Sequence, residues 1–386
     1  MSKSVASLSK MWLKVCNLER SLFPGLRQVM GALTSKEEKL IRILDFAEIE
    51  RFVSSVEITN PPKYREEIAR SFVAKQVYNF QTTRALLDRL HSDRVLRMIC
   101  GWRHAGEVPS ESTFSRVFAE LSQMKIAEKA HERFIETYLR DLIFFYHSAD
   151  ATAIELREKP VKKEPKPKKA KRRRGRPKKG EAVAPKAPTV LERQQSMKRV
   201  DEMLSLIPTA CDVGTKRNAK GYKSSWIGGK LHIGAVDGDI PVSAFYSSAS
   251  VHDTSLALPV MHTSSVRVNY LYDLQDAAYD ASIIREYSKD YGHRPIIDIN
   301  PKNSVSLKEK IAAQKEEQKL LRQLKLPVSS DEYHYNQRSS IERINGNLKD
   351  NYGCRNIYYQ GATKVASVLS FALLCICIEQ SVKLLT

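Results

Sequence analysis

Residues 157–179 cannot enter any hydrophobic core, and this limits how the rest of the chain can be organised. The stretch holds 14 Lys or Arg against 2 Glu, a net of 14 − 2 = +12 out of +19 for the whole chain. Pro160, Pro165, Pro167 and Pro177, with Gly175, rule out a helix, and nothing apolar there can pack. Such a composition predicts a disordered loop. Because one short segment carries most of the excess charge, a polyanion is the expected partner: nucleic acid first, an anionic membrane surface second.

Folded structure must therefore form on either side of this loop. The chain has 386 residues, 42% of them hydrophobic, which is enough for two domains with their own cores. Residues 365–378 form an apolar run that is too short to span a bilayer and contains Ser367 and Ser370, so a buried helix is expected. Lys3, Lys10 and Lys14 interrupt any signal-peptide pattern. The six cysteines are scattered without zinc spacing and read as reduced, mostly core thiols. A cytoplasmic protein with no membrane partner follows.

Residues 1 to about 140 read as helical. Residues 37–52 carry Leu40, Ile43, Leu44, Phe46 and Ile49 at helical spacing, and further helices are expected at 64–79 and 83–90. Ser110 is a candidate N-cap for a helix with Phe114, Val117, Phe118 and Leu121 on one face. The run Pro109-Ser110-Glu111-Ser112-Thr113 is similar to the start of the second helix of a helix-turn-helix. A helical bundle used only for dimerisation fits it equally.

From residue 142 the pattern changes to strands. Residues 142–149 are apolar and aromatic and read as a buried strand with Asp150 at its end. Residues 227–236 and 240–246 form a hairpin across Asp237-Gly238-Asp239. His252-Asp253 then opens a helix toward Met261, and 266–274 is the next strand. Asp273 falls within that strand pattern and Asp276 just after it. A helix at 281–291, a strand at 294–299 and a charged helix at 303–326 follow. An Asp after a strand is a turn residue in most proteins.

Residues 335–349 read as one helix. Tyr335, Arg338, Glu342 and Lys349 lie at i, i+3, i+7 and i+14, within a fan of roughly 60° at about 100° per residue. Ile341, Ile344 and Leu348 fall on the opposite side. A solvated surface helix with an Arg338–Glu342 pair satisfies this spacing. So does a helix that brings Glu342 to the two strand aspartates, where three carboxylates converge on divalent metal ions.

Tyr-x2-Arg-x3-Glu-x6-Lys resembles the Y-R-E-K signature of bacterial insertion-sequence transposases of the DDE type. Residues 275–280, Gln-Asp-Ala-Ala-Tyr-Asp, are similar to that family's second aspartate segment. The resemblance runs from about residue 70 to the C-terminus. It implies an α/β fold: a ribonuclease-H-like mixed sheet flanked by helices, preceded by an all-α domain. The helical part, 1–140, would bind DNA ends or dimerise. The catalytic part, 141–386, would be interrupted by the basic insertion at about 157–190. Asp150, Asp276 and Glu342 would be catalytic and hold two Mg²⁺, with Mn²⁺ as a substitute, and Asp273 competes with Asp276 for the second place. Tyr335, Arg338 and Lys349 would bind DNA phosphates. The implied reaction is two-metal hydrolysis followed by strand transfer. The partners would be double-stranded DNA (terminal inverted repeats and target) and a second copy of the chain in a homodimer, on the bacterial nucleoid. Within the insertion, Arg172, Arg173, Arg174, Arg176, Lys178 and Lys179 surround an Arg-Gly-Arg-Pro core that resembles an AT-hook. Unspecific phosphate attraction explains the same residues. An inactive DNA-binding relative and a metal-dependent nuclease without strand transfer are the alternative functions.

Overall fold

The computed structural model describes residues 3–21, 31–53, 63–162, 187–217, 221–301, 304–325 and 329–385. Most of the basic segment, including Arg172, Arg173, Arg174, Arg176, Lys178 and Lys179, lies outside the described residues.

The N-terminal part is helical: α1 (Lys3–Ser21), α2 (Ser35–Ala47), α3 (Glu50–Val53), α4 (Arg65–Val77), α5 (Thr83–Ser92), α6 (Arg94–Ile99), α7 (Glu111–Gln123) and α8 (Ile126–Tyr138). Local chemistry sets these boundaries. Thr34 and Glu37 form a reciprocal capping box at the start of α2. Glu48, in the left-handed region at φ 43°, ends α2, so the helix expected over 37–52 is two helices. Thr82 caps α5 through the Ala85 N–H. Ser110 precedes α7 as expected, but its hydroxyl bonds Ser112 and Thr113 instead of a backbone N–H.

The second half supplies β1 (Ile143–Leu156), α9 (Val190–Gln195), α10 (Val200–Ser205), β2 (Asp212–Arg217), β3 (Lys223–Val236), β4 (Ile240–Ser248), α11 (Ala257–Arg267) and β5 (Asn269–Gln275). These lead into α12 (Ser282–Asp290), β6 (Arg294–Ile297), α13 (Val305–Gln323), α14 (Ser330–Asn336), α15 (Ser339–Asp350), β7 (Asn356–Ile357) and α16 (Ala362–Lys383). The seven strands form one sheet with the path β2-β3-β1-β5-β6; β4 also pairs with β3, and β7 with β1. β1 runs antiparallel to β3 and parallel to β5, and β5 runs parallel to β6. This mixed sheet with flanking helices is the expected ribonuclease-H-like α/β fold.

Several boundaries differ from the sequence expectation. β1 does not stop at Asp150 but continues to Leu156, because β3 pairs with it from His147↔Val236 to Glu155↔Gly228. The helix after His252-Asp253 extends through Arg267, so β5 starts at Asn269 and not at 266. β2 has no apolar run and was not expected; its ladder with β3 defines it.

The apolar run at the C-terminus is α16, and most of its length is buried. It packs against α2, α4, α7 and α8 on the helical side and against β4 on the sheet side. One continuous hydrophobic cluster therefore runs from Met11 through Phe72, Phe118 and Ile233 to Val382. Each large apolar side chain buried there contributes about 1.5–3 kcal/mol, so α16 joins the helical part to the sheet. The five cysteines whose side chains are described are free and buried.

Candidate active site

Strand register brings the first groups together. β1 and β5 pair from Ile143↔Asn269 to Ser148↔Leu274, and β5 and β6 pair up to Gln275↔Ile297. The same offsets carried one or two residues further put Asp150, Asp276 and Asp298 level across three neighbouring strands. Adjacent strands are about 4.8 Å apart, so this register sets the three backbone positions side by side where β5 and β6 end.

Each behaves differently. Asp150 is largely buried; burial, together with the nearby charges of Asp276 and Asp253, pushes its pKa up to about 6, against the opposing pull of the Ala151 N–H and Arg338. Asp276 accepts the Ala278 N–H at 2.9 Å and caps the turn Ala277–Tyr279. Burial and the nearby charge of Asp298, opposed by Arg338, raise the Tyr335 phenol to about 12.

Asp273, the competing residue, is fully buried, with its oxygens engaged by His147 Nδ1 (2.8 Å) and the Ser288 hydroxyl. Asp253, in the His-Asp pair, holds Lys230 Nζ at 2.8 Å and adds to the negative field at Asp150.

The expected helix over 335–349 is two helices. Tyr335 lies in α14, Gln337 and Arg338 form a turn, and Glu342 and Lys349 lie on α15. The turn is tight: Arg338 N–H donates to Tyr335 O at 3.0 Å and Ile341 N–H to Arg338 O at 3.2 Å. With three residues per turn, positions i and i+3 eclipse. Arg338 accordingly lies over the Tyr335 ring, 5.6 Å from its centroid.

α15 packs on β1 and β3 through Ile341, Ile344 and Leu348. Its other side meets the carboxylates. Arg338 is 20% exposed, feels Asp150, Glu342 and Asp276, and donates from Nη2 to Glu342 Oε1 at 3.2 Å. Glu342 is 63% exposed. Asn345 Nδ2 reaches Asp150 Oδ2 in a long contact of 3.5 Å. Lys349, half-buried at the far end, has its pKa lowered by burial and by Arg355 and Lys216, while Glu155 and Asp350 oppose.

Sequence reasoning missed Asn345 and Asp298. Both carried a signal: Asn345 completes the series 335, 338, 342, 345, 349, and Asp298 follows an apolar run as Asp150 and Asp276 do.

The donor set fits a hard divalent cation. The ligands available are oxygens, and the charge of Asp276 opposes the ionisation of Asp150. Glu342 is drawn to Arg338, and among the described residues no three acidic, His or Cys side chains are grouped to hold one ion.

Comparison with known families gives two matches. Residues 31–120 match the family model described as Transposase domain (DUF772), and residues 200–378 match Transposase DDE domain. Asp276 and Glu342 fall inside the second match and Asp150 before it. No curated protein and no solved structure matches the chain significantly. With a helical part and a sheet part matching two transposase models in chain order, the protein belongs to the DDE transposases of insertion sequences, DNA-cutting and strand-transferring enzymes that depend on divalent metal ions.

Proposed function

We propose that Asp150, Asp276 and Glu342 are the three catalytic carboxylates and that they hold two Mg²⁺ ions, for which Mn²⁺ can substitute. The observation that carries this reading is the β1–β5 register, which sets Asp150 level with Asp276, with α15 packed on β1 and Arg338 within reach of both charges. When bound, the ions supply an activated water and charge stabilisation for phosphodiester cleavage. The chain's own residues do the rest. Arg338 grips a phosphate beside the scissile bond with its planar fork, and Lys349 holds a second as a point charge. Tyr335, fixed by Asp298, stacks on a base or contacts a phosphate at the transposon end. Asn345 orients Asp150. These assignments make the chain a member of the Y-R-E-K group.

In the same reading, residues 1–140 recognise terminal inverted repeats or dimerise, and 141–386 form the catalytic part. The active assembly is a homodimer on double-stranded DNA, in the cytoplasm on the nucleoid. The basic segment at about 157–190 adds affinity through counterion release.

The test is Mg²⁺-dependent cutting and joining of duplexes carrying the element's ends. Asp150→Asn, Asp276→Asn and Glu342→Gln should each abolish both steps while DNA binding persists. Full activity in any one of them removes that residue from the set.

A further inference from the structure

A second cationic surface lies beyond the end of α15. Lys216 and Arg217 close β2, and Lys223 opens β3; all three are exposed. In the ladder Arg217 is directly opposite Lys223. Like charges in that position destabilise a strand pair. Lys349 lies on α15, which packs on β3, and comes near Lys216 from this different element. The acidic groups near Lys349 are Glu155 and Asp350, and Asp350 is already ion-paired with Arg355. Among the described residues, Lys216, Arg217, Lys223 and Lys349 have no ion-pair partner, whereas Arg338, Arg343 and Arg294 nearer the carboxylates are all paired.

We propose that the β2–β3 hairpin and the C-terminal end of α15 together clamp the phosphodiester backbone of duplex DNA on one side of the cleavage site. The proposal rests on the carboxylate assignment above for where that site lies. Along α15, Lys349 is 11 residues past Arg338, a rise of about 16 Å. At 3.4 Å per base pair that is about five base pairs from the phosphate held by Arg338. A regularly spaced polyanion is the partner that neutralises four cations contributed by three elements. Edge strands also carry lysines to prevent strand pairing, but edge protection gives no reason for Lys349, on a helix, to converge on the same place.

The clamp is tested with the full chain in EDTA, using a short random-sequence duplex and fluorescence anisotropy between about 50 and 200 mM salt. Each phosphate contact contributes about 0.9 to the slope of log affinity against log salt. The triple variant Lys216→Gln, Arg217→Gln, Lys223→Gln should flatten that slope by about 2 to 3 at wild-type melting temperature. Lys349→Gln should remove about one more. A control triple on the exposed helix α13, Lys308→Gln, Lys315→Gln, Lys319→Gln, loses the same charge and should leave the slope unchanged. A wild-type slope in the hairpin triple, or an equal loss in the control triple, overturns the clamp. A wild-type slope with lost solubility overturns it too, by assigning these charges to edge protection. EDTA removes the metal, so these outcomes do not depend on the carboxylate assignment, which is tested separately by whether Asp150→Asn still cuts.

Discussion

Nη2 of Arg338 lies 3.2 Å from Oε1 of Glu342, one helical turn away, and the same guanidinium feels the charges of Asp150 and Asp276. The arginine is thus the counter-ion of all three proposed metal ligands. Arg338→Gln should therefore raise the divalent affinity of DNA-free protein by about three- to tenfold, or roughly 0.7–1.4 kcal/mol, while DNA cleavage falls sharply. Arg338→Lys should restore only part of the cleavage, because a point charge lacks the fork. Mn²⁺ titration of the metal-free protein reads the first effect. Unchanged affinity and normal cleavage in Arg338→Gln would return this helix to a solvated surface role.

Asp273 and Asp276 are three residues apart and should respond in opposite ways. Asp276→Asn is expected to abolish metal-dependent cutting at near-normal stability. Asp273→Asn breaks the buried bonds to His147 and Ser288 and should cost about 2–4 kcal/mol. Thermal melts and cleavage assays on both variants separate the two. A stable, inactive Asp273→Asn protein with an active Asp276→Asn protein would reverse the assignment.

Asp298 acts through Tyr335 in this reading. Asp298→Asn and Tyr335→Phe should each reduce cleavage, and the double variant should be no worse than the more impaired single variant, since both disrupt the same coupled pair. Additive losses in the double-mutant cycle would mean that Asp298 contacts DNA or metal independently.

Acid should unfold the protein partly through two histidines. Burial pushes the pKa of His131 down to about 3 and that of His232 down to about 4. Both are neutral in the folded chain, while the unfolded chain takes up protons below about 6.5. Their stabilisation is complete above that pH and is lost as pH falls toward 4, at about 1.4 kcal/mol per pH unit for each histidine. Replacing either with Gln, which keeps an Nε2-like contact to Pro241 O or Ser247, should roughly halve this slope in denaturant melts.

Much of the fold was written in local pattern. The strand 142–149, the hairpin across Asp237–Asp239 and the apolar C-terminal helix all follow from residue spacing and turn chemistry, because burial of one face imposes a period on the sequence. The spacing of Tyr335, Arg338, Glu342 and Lys349 was equally legible.

Only the tertiary structure decided register and continuity. No local feature says that β1 continues past Asp150, because its continuation is held by β3, about 80 residues later in the chain. The level row of Asp150, Asp276 and Asp298 comes from pairings between strands far apart in sequence, where one residue of slip would turn every side chain to the other face. The break at Gln337–Arg338 and the sharing of α16 between the helices and the sheet were likewise set by packing partners. Periodicity along a chain records which side is buried; it does not record against what, and the site is made by the partners.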